Sequence, residues 1–475
     1  MGGAQSGQRR GVLAATILGS SMAFIDGSVV NVALPAFQSM LGATLADVQW
    51  IVEAYTLFLA SLMLTGGALG DRLGRRRIFT IGVVVFALAS VACGLAPTLA
   101  ALIAFRALQG VGAALLVPGS LSIISAVFPD RERGKAIGTW SAFTSITMIV
   151  GPLLGGTFID HLSWRAIFFI NAPVAAVVLV LVARCVPESR GGGARAVDWP
   201  GAVLATTGLG ALIFALIESS TLGFADARVA LTLVAGAALL AAFVVVEWRS
   251  RAPMMPLTLF RSAAFAGTNL LTLFLYGALA GGLFFVPMNL IELHGYSATA
   301  AGAAMTPSVL LLSLLSRWAG GLAEREGAKR LLVVGPVIAS VGFALFALAG
   351  IDSTYWTGFF PAFVVLGFGM SLTVAPLTTT VMSSVAREHS GVASGVNNAV
   401  SETAGLLMVA VMGIAMASAF DPSLQGGLEG TTLGPAARTA FLEGYRRVMI
   451  GCTALALLSA AAGWICLRAV RGPRS

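Results

Sequence analysis

Long apolar runs dominate this chain and decide what it can fold into. Fourteen of them, each close to the roughly 20 residues that a spanning helix needs, are separated by short polar stretches. In lipid, only helices or closed barrels satisfy their own backbone hydrogen bonds, and barrel strands need only about 10 alternating residues. The pattern predicts an all-α integral membrane protein. Its expected spans are 11–35, 47–69, 77–96, 99–122, 134–157, 165–184, 201–220, 228–247, 264–291, 298–319, 331–350, 356–382, 391–419 and 446–468.

Composition and charge agree with a membrane protein. Hydrophobic residues make up 57% of the chain and charged residues 11%, against roughly 25% charged residues in soluble proteins. The basic residues cluster between alternate runs, which is the positive-inside pattern, so the net charge of +8 does not indicate nucleic acid. We expect a multi-pass protein of the cell (inner, cytoplasmic) membrane with both termini cytoplasmic. The first run is too long for a signal peptide and contains Asp26, which predicts an uncleaved helix.

The chain contains an internal repeat. Residues 67–77 return in weaker form as residues 320–330, at an offset of 253 positions, and 128–134 resembles 385–391. Runs 1–6 therefore match runs 9–14, which predicts two pseudo-symmetric six-helix bundles, with runs 7 and 8 as two extra linking helices. Repeated halves with a binding site between them are typical of transporters. The expected domains are 1–186 (first bundle), 187–262 (linker with the extra helices) and 263–475 (second bundle).

Four local patterns carry a family resemblance, and they lie at 25–35, 67–77, 106–114 and 151–156. With them the chain resembles a major facilitator superfamily transporter, and more narrowly the fourteen-helix drug:proton antiporter family. The chain has Thr147 where the antiporter signature of the fifth helix usually has glycine. The resemblance assigns to that signature Gly138, Gly151, Pro152, Gly155 and Gly156.

The loop between runs 2 and 3 resembles the superfamily's conformational latch. A carboxylate such as Asp71 can accept hydrogen bonds from the N-terminal amides of a neighbouring helix. The resemblance places that helix start near Ser390 and Gly391, with Arg75 pairing with Asp71. The alternative is that the arginines only hold the loop inside the cell. The expected latch residues are Gly67, Asp71, Arg72, Gly74, Arg75 and Arg76.

Three charged residues lie well inside predicted spans of the first half: Asp26, Arg106 and Glu53. Intramembrane charges are costly unless they are paired or face water, so they are functional candidates. Arg106 is a fixed positive charge, and a carboxylate beside it could load and release a proton. We expect Asp26 to couple protons with Arg106 tuning its affinity, and Glu53 to be the second candidate or to meet a cationic substrate. A static ion pair is the alternative.

The substrate site is expected to include a carboxylate in the second half. Glu402 lies about eleven residues into run 13, near mid-membrane, and could bind a cation or a second proton. A protonated structural glutamate is the alternative. The further polar residues that we expect to line the site are Asn31, Gln109 and Asn398.

Together these features predict a proton-driven exporter of amphipathic, cationic drugs or toxic small molecules that works by alternating access. The alternative is a dedicated exporter of one self-made metabolite, such as an antibiotic or siderophore. An uptake symporter fits the signature of the fifth helix less well. We expect no enzyme activity, because no catalytic cluster or nucleotide-phosphate motif is visible. The cysteines and histidines are scattered, so we expect no metal or cofactor. The expected partners are a small-molecule substrate, protons and lipid, without nucleic acid, and the expected state is a monomer.

Overall fold

The computed structural model describes residues 2–190, 197–250, 252–385, 390–419 and 434–467. Within these ranges the chain is helical and contains no strand. The α-helices are α1 Gly2–Leu41, α2 Leu45–Leu73, α3 Arg75–Leu95, α4 Leu99–Val127, α5 Asp130–His161, α6 Ala166–Phe169, α7 Asn171–Cys185, α8 Trp199–Leu222, α9 Ala227–Arg249, α10 Ala263–Glu292, α11 Ala298–Ala304, α12 Thr306–Glu326, α13 Ala328–Leu348, α14 Phe360–Ser383, α15 Ser390–Ala417 and α16 Pro435–Cys466.

The helices confirm an all-helical, multi-pass membrane protein. Across the described residues, 13 helical stretches are long and apolar enough to cross a bilayer. The predicted span 134–157 falls in α5, a continuous helix of 32 residues that is not among those 13. The count of fourteen spans therefore stays a prediction.

Several helix boundaries differ from the predicted ones. We expected the first span to end at Pro35, yet α1 continues to Leu41. A proline removes one backbone hydrogen bond, but tertiary packing can hold the helix through it. The neighbouring side chains of Leu34 and Phe37 are completely buried and supply that packing. The sixth run is divided into α6 and α7, and the tenth into α11 and α12.

The chain divides into two compact units. The first comprises Met1–Phe37, Trp50–Leu212 and Val234–Met254. In its core, α3 packs along α4 around completely buried side chains such as Phe79 and Phe86. A Cβ added at Gly112 would lie 2.5 Å from the backbone nitrogen of Phe86. A small residue at this position lets the two backbones approach closely, as is common between membrane helices.

The second unit comprises Gln38–Gln49, Ile213–Leu233 and Met255–Ser475. Here α13 packs against α14 and α16, and α10 packs against α15 and α16. Glycines again set the closest approaches: a Cβ at Gly369 would lie 2.5 Å from the nitrogen of Ala339. The predicted domain boundaries 1–186, 187–262 and 263–475 stay a prediction.

The two repeated loops adopt the same local form. Gly74 follows α2 with φ 118°, and Gly327 follows α12 with φ 85°. Glycine tolerates this left-handed region because it has no Cβ. The helices that follow, α3 and α13, are each 21 residues long, and their first residues are 253 positions apart, as the loops are. The sequence repeat therefore coincides with a repeat in helix boundaries.

Candidate functional site

A buried ion pair joins α1 to α4 in the first unit. Asp26 and Arg106 are 2% and 1% exposed. The Arg106 Nη1 donates to Asp26 Oδ2, and also to Gln109 Oε1 at 2.8 Å. The Gln109 Nε2 donates to Asp26 Oδ1 at 2.7 Å. The structure thus brings together three of the residues that the sequence singled out.

Two further polar residues complete this cluster, and sequence reasoning missed both. Asn171, at the start of α7, donates through Nδ2 to Asp26 Oδ1 at 3.3 Å and to Ser90 Oγ at 2.9 Å. Ser90 in turn donates to the carbonyl of Phe168 at 2.8 Å. Asn171 is 2% exposed and Ser90 is 0% exposed. An amide near the beginning of an apolar run was the only sequence signal. We call Asp26, Ser90, Arg106, Gln109 and Asn171 the Asp26 cluster.

The guanidinium of Arg106 is fixed by α2 as well. Its Nε donates to the carbonyl of Ile51 at 3.0 Å, and its Cζ lies 4.4 Å from the ring centroid of Tyr55. The Tyr55 hydroxyl donates to the carbonyl of Ala23 at 3.3 Å, which ties α2 to α1. A second ring, Phe168, lies 6.0 Å from the same Cζ. Aromatic faces stabilise a cation that has been removed from water.

The groups that contact the carboxylate of Asp26 are all hydrogen-bond donors. Arginine can only donate, and the amide nitrogens of Gln109 and Asn171 also donate, so both oxygens of Asp26 act as acceptors. This arrangement fits an ionised carboxylate and offers no acceptor for a proton on Asp26. A proton added to Asp26 would remove its charge attraction to Arg106. The new O–H group would also be a donor that faces another donor.

Glu53 lies on α2 but outside the Asp26 cluster. It is two residues from both Ile51 and Tyr55, hence about 160–200° around the helix from the face that meets Arg106. It is 1% exposed, and its Oε2 has no hydrogen-bond partner among the described residues. Its neighbour one turn on, Leu57, lies against α8, since a Cβ at Gly210 would be 3.4 Å from Leu57 Cδ2. Glu53 therefore lies on a different face of α2 from the one that contacts Arg106.

Asn31 also lies outside the Asp26 cluster. Its side chain is partly buried, and Nδ2 donates to the carbonyl of Gly27 in its own helix, at 3.4 Å. A Cβ at Gly27 would meet nothing within 4 Å. This face of α1 is therefore partly open, in contrast to the face that carries Asp26.

The second unit holds a neutral polar cluster between α10 and α15. Asn397 Nδ2 donates to Asn269 Oδ1 at 3.1 Å and to Thr272 Oγ1 at 2.8 Å. The sequence pointed to the next residue, Asn398, which is exposed. Glu402 is partly buried on the same helix. Asn397 and not Asn398 therefore makes the bonds between α10 and α15.

The predicted pairing in the signature loop is present. Asp71 Oδ1 accepts from Arg75 Nε at 2.8 Å and from Arg75 Nη2 at 2.8 Å. Arg75 Nη1 also donates to the carbonyl of Ser122 on α4 at 3.3 Å. Arg72 is exposed and Gly67 is partly buried, with a Cβ position 3.7 Å from Pro118. The expected partner of the latch, near Ser390 and Gly391, belongs to the second unit, and the preceding residues 386–389 lie outside the described part of the chain.

A carboxylate that the sequence did not single out caps the N-terminus of α3. Glu188 accepts from the backbone nitrogens of Arg76 at 3.1 Å and Arg77 at 3.2 Å. The backbone nitrogen of Arg75 donates to the carbonyl of Ser189 at 2.9 Å. An anion at a helix N-terminus is favoured by the free N–H groups and by the helix dipole. The segment after α7 is thereby fastened to the signature loop.

The antiporter signature on α5 lies against α1. A Cβ at Gly151 would be 2.0 Å from Ser28 Oγ, and one at Gly155 would be 2.9 Å from Val29 Cγ1. The side chain of Pro152 is buried, as is Gly156, whereas Gly138 is exposed with nothing within 4 Å of its Cβ position. Close packing explains Gly151 and Gly155 and leaves Gly138 without a packing role. Among the described residues, no group of three His, Cys, Asp or Glu could hold a metal.

Comparison with known proteins agrees with this architecture. Residues 16–410 match the model of the Major Facilitator Superfamily. The chain is 35% identical over 437 residues to the multidrug resistance protein Stp of Mycobacterium tuberculosis, covering 91% of this chain and 80% of that protein. It is 34% identical over 460 residues to the puromycin resistance protein pur8 of Streptomyces alboniger, covering 96% and 90%.

A solved structure extends the comparison to the fold. The bacterial homologue of the human lysosomal transporter Spinster, crystallised in an inward-facing and unoccupied conformation, superposes with a TM-score of 0.70. The two chains are 19% identical, and the superposition covers 98% of this chain and 99% of the other, so this likeness concerns the fold alone. With the family model covering most of the sequence, the chain belongs to the Major Facilitator Superfamily.

Proposed function

We propose that this protein is a proton-driven exporter of amphipathic, cationic small molecules, including drugs, and that it works by alternating access. The observation that carries the proposal is the Asp26 cluster: a carboxylate and an arginine, both buried within candidate membrane spans and bonded to each other. Charges at such positions mark proton and substrate pathways in membrane proteins. The protein acts as a monomer in the cytoplasmic membrane, with fourteen spans, two pseudo-symmetric halves and both termini inside.

The names of the relatives support an export function. The two described above are called resistance proteins for multiple drugs and for puromycin, and a third, from Streptomyces glaucescens, is called a tetracenomycin C resistance and export protein. Resistance through a membrane transporter requires outward movement of the toxic compound. A dedicated exporter of one self-made metabolite is the second candidate, because the tetracenomycin relative is named for a single compound.

In this mechanism Asp26 binds and releases a proton during the transport cycle. The ionised carboxylate is held by Arg106, Gln109 and Asn171, as in the bonding pattern of the cluster. A proton from the outer side neutralises Asp26, weakens its attraction to Arg106 and frees α1 to move relative to α4. Release of the proton to the cytoplasm restores the pair. Glu53 provides a separate carboxyl group for a substrate cation or a second proton.

The remaining motifs act on conformation. The pair Asp71–Arg75 holds the signature loop in one state and must rearrange for the opposite opening. Gly151 and Gly155 let α5 lie directly on α1, so movement of α1 is transmitted to α5. Glu402 and the Asn397 region face the substrate from the second half. Cofactor and nucleotide play no part in this cycle.

The test uses purified protein in liposomes that contain a pH-sensitive dye, with an imposed proton gradient. Adding tetraphenylphosphonium, a lipophilic cation, should evoke proton flux in the wild type and none in Asp26→Asn. Asp226→Asn is the matched control, because Asp226 lies in the α8–α9 loop beside Arg228 and should leave flux unchanged. A panel of lipophilic anions and neutral compounds separates a broad exporter from a dedicated one.

Two results would overturn parts of this proposal. Flux that persists in Asp26→Asn and is lost in Glu53→Gln would move proton coupling to Glu53. Absence of evoked flux with every compound, from folded protein, would remove the multidrug function and leave the dedicated metabolite exporter.

A further inference from the structure

An exposed apolar stripe on α3 is repeated on α13. In α3 the exposed residues Ile81, Val84 and Leu88 follow one another at spacings of three and four, so they share one face of the helix. At an offset of 253 positions, the exposed residues of α13 are Val334, Val337 and Val341. Both helices are candidate membrane spans, so these exposed apolar faces contact lipid.

An arginine lies one turn before each stripe. Arg77 of α3 and Arg330 of α13 are exposed and are again 253 positions apart. Arg330 Nη1 donates to Glu326 Oε2 at 2.6 Å, so its charge is paired. Position 326 corresponds to Leu73 in the first unit, and within the described part of the chain Arg77 forms no ion pair. The charge of Arg77 is therefore available to a group outside the protein.

The helix that packs beside each stripe is repeated as well. In the first unit α3 packs against α7, and in the second α13 packs against α16. A Cβ at Gly11 would lie 2.3 Å from Cys185 Sγ on α7, and a Cβ at Gly267 would lie 2.2 Å from Cys466 Cβ on α16. The two cysteines therefore occupy corresponding places near the ends of their helices, 281 positions apart.

One contact joins the helices of each pair at these ends. Arg76 Nη2 of α3 donates to the carbonyl of Ala183 on α7 at 3.4 Å. In the second unit, Lys329 Nζ of α13 lies 4.9 Å from the ring centroid of Trp464 on α16. The same offsets, 253 and 281 positions, relate the two contacts. The two helix pairs can therefore be compared residue by residue at this end.

The two units differ at the next residue of each helix. Arg77 and Arg184 directly follow the two residues that are in contact in the first unit, and both are exposed. Their counterparts are the paired Arg330 and the exposed Ile465. Arg184 forms no ion pair among the described residues. The exposed apolar residues on its face of α7 are Val177 and Val180. Only the first unit thus has two available arginines at the ends of two adjacent apolar stripes.

We propose that an anionic phospholipid binds across α3 and α7, with its phosphate at Arg77 and Arg184 and its acyl chains along the two stripes. The N–H groups of arginine suit a phosphate, and basic clusters at a membrane surface attract anionic lipids. The carboxylate of Glu188 also lies at this end, where it accepts from the backbone nitrogens of Arg76 and Arg77. The exposed Arg190 adds positive charge. Only the assignment to the cytoplasmic leaflet rests on the topology given under the proposed function.

The test is native mass spectrometry of the purified full-length protein in detergent, mixed with equal amounts of phosphatidylglycerol and phosphatidylcholine. The wild type should bind phosphatidylglycerol first. Arg77→Gln and Arg184→Ile should each lower its affinity about fivefold, which is the contribution of one basic residue to anionic lipid binding. Arg330→Gln is the matched control and should leave the affinity unchanged. All three side chains are exposed, so the variants should fold. Equal losses in Arg184→Ile and Arg330→Gln would overturn the proposal, because only the total surface charge would then matter.

A second measurement separates a lipid from a free anion. Inorganic phosphate, compared with chloride at the same ionic strength, should not displace phosphatidylglycerol from the wild type, because it lacks the acyl chains that contact the stripes. Displacement by phosphate would indicate a site for a free anion and would overturn the lipid site. Neither measurement involves transport, so failure of this proposal is distinguishable from failure of the proposed export function.

Discussion

The two units hold their buried polar groups in opposite ways. In the first, three donors converge on the carboxylate of Asp26, and the strongest of them is the fixed cation of Arg106. In the second, α10 and α15 are joined by the neutral amides of Asn269 and Asn397 with the hydroxyl of Thr272. A charged cluster changes its bonding when a proton binds, whereas a neutral one does not. This difference is the reason why we propose that proton coupling takes place in the first unit.

The distribution of ion pairs sharpens this contrast. Among the described residues of the second unit, the pairs Arg228–Asp226, Arg330–Glu326 and Arg447–Glu443 all have solvent-exposed arginines, from 43% to 74% exposed. Exposed pairs contribute little to stability, about 0–1 kcal/mol. In the first unit, Arg106 and Asp26 are each 1% exposed, whereas the pairs Arg9–Glu132 and Arg75–Asp71 lie nearer the surface, as the pairs of the second unit do. Removing one member of a buried pair is far more costly than disturbing an exposed one.

The largest effect is therefore expected from Arg106→Met. It leaves the Asp26 carboxylate buried with the neutral donors of Gln109 and Asn171 but without its cation, and removing one member of a buried pair costs about 3–5 kcal/mol of unfolding free energy. Thermal unfolding in detergent measures the loss, and Arg330→Met in the exposed pair of the second unit is the control, with little change expected. The double variant Asp26→Leu with Arg106→Met should recover part of the stability but no transport. Equal losses of unfolding free energy in Arg106→Met and Arg330→Met would contradict the difference that we infer between the two units.

The repeated loops offer a second comparison between the units. Gly74→Ala and Gly327→Ala both force alanine into a left-handed backbone, which costs about 1–2 kcal/mol. At Gly74 the new Cβ would also lie 2.8 Å from the carboxylate of Glu188, whereas at Gly327 it would meet nothing within 4 Å. We expect Gly74→Ala to lower the melting temperature more than Gly327→Ala. A larger decrease in melting temperature for Gly327→Ala than for Gly74→Ala would show that the contact of Glu188 with the N-terminus of α3 does not contribute to stability.

The neutral cluster should respond more weakly. Asn397→Leu removes two hydrogen bonds and should cost about 1–2 kcal/mol, with proton coupling retained. Asn398→Leu is the matched control at the adjacent exposed position and should change stability less. Stability comes from unfolding in detergent, and coupling from the substrate-evoked flux in liposomes. Loss of coupling in folded Asn397→Leu would extend the coupling machinery to the second unit.

The smallest effect is expected from Glu188→Gln. Its side chain is exposed, so loss of the charge at the N-terminus of α3 should cost about 0.3–1 kcal/mol, and less at high salt. The measurement is the melting temperature at low and high ionic strength, with Glu132→Gln as a control that removes the exposed pair with Arg9. If the decrease in melting temperature of Glu188→Gln is the same at low and high salt, the loss of charge at the N-terminus of α3 is not its cause.

The sequence allowed the charged residues of the Asp26 cluster to be predicted, but not its neutral polar residues. Asp26 and Arg106 were recognisable because charges inside an apolar run are rare and need a partner. Asn171 and Ser90 were not, because neutral polar residues occur throughout membrane helices and only the packing of α7 and α3 brings these two to Asp26. The same limit applies to Glu188, which lies in the segment after α7, 112 positions from the amide that it caps.

The direction in which a side chain points around its helix could not be predicted from the sequence either. Asn397 and Asn398 are adjacent residues of the same type. The orientation of α15 about its own axis decides that Asn397 contacts α10 while Asn398 is exposed. Glu53 was grouped with Asp26 because both are charged residues inside predicted spans, yet it lies on the opposite face of α2 from Arg106. Depth in the membrane follows from residue counting, whereas the direction around a helix depends on which neighbours it packs against.

The most direct test of the central claim is proton release on substrate binding. Purified protein in weakly buffered detergent would be mixed with tetraphenylphosphonium, and the released protons counted with a pH indicator. With Asp26 as the exchanging carboxyl, wild type and Glu53→Gln release protons and Asp26→Asn binds the cation without release. Proton release from Asp26→Asn equal to that of the wild type would contradict the account and leave the Asp26 cluster as a static ion pair.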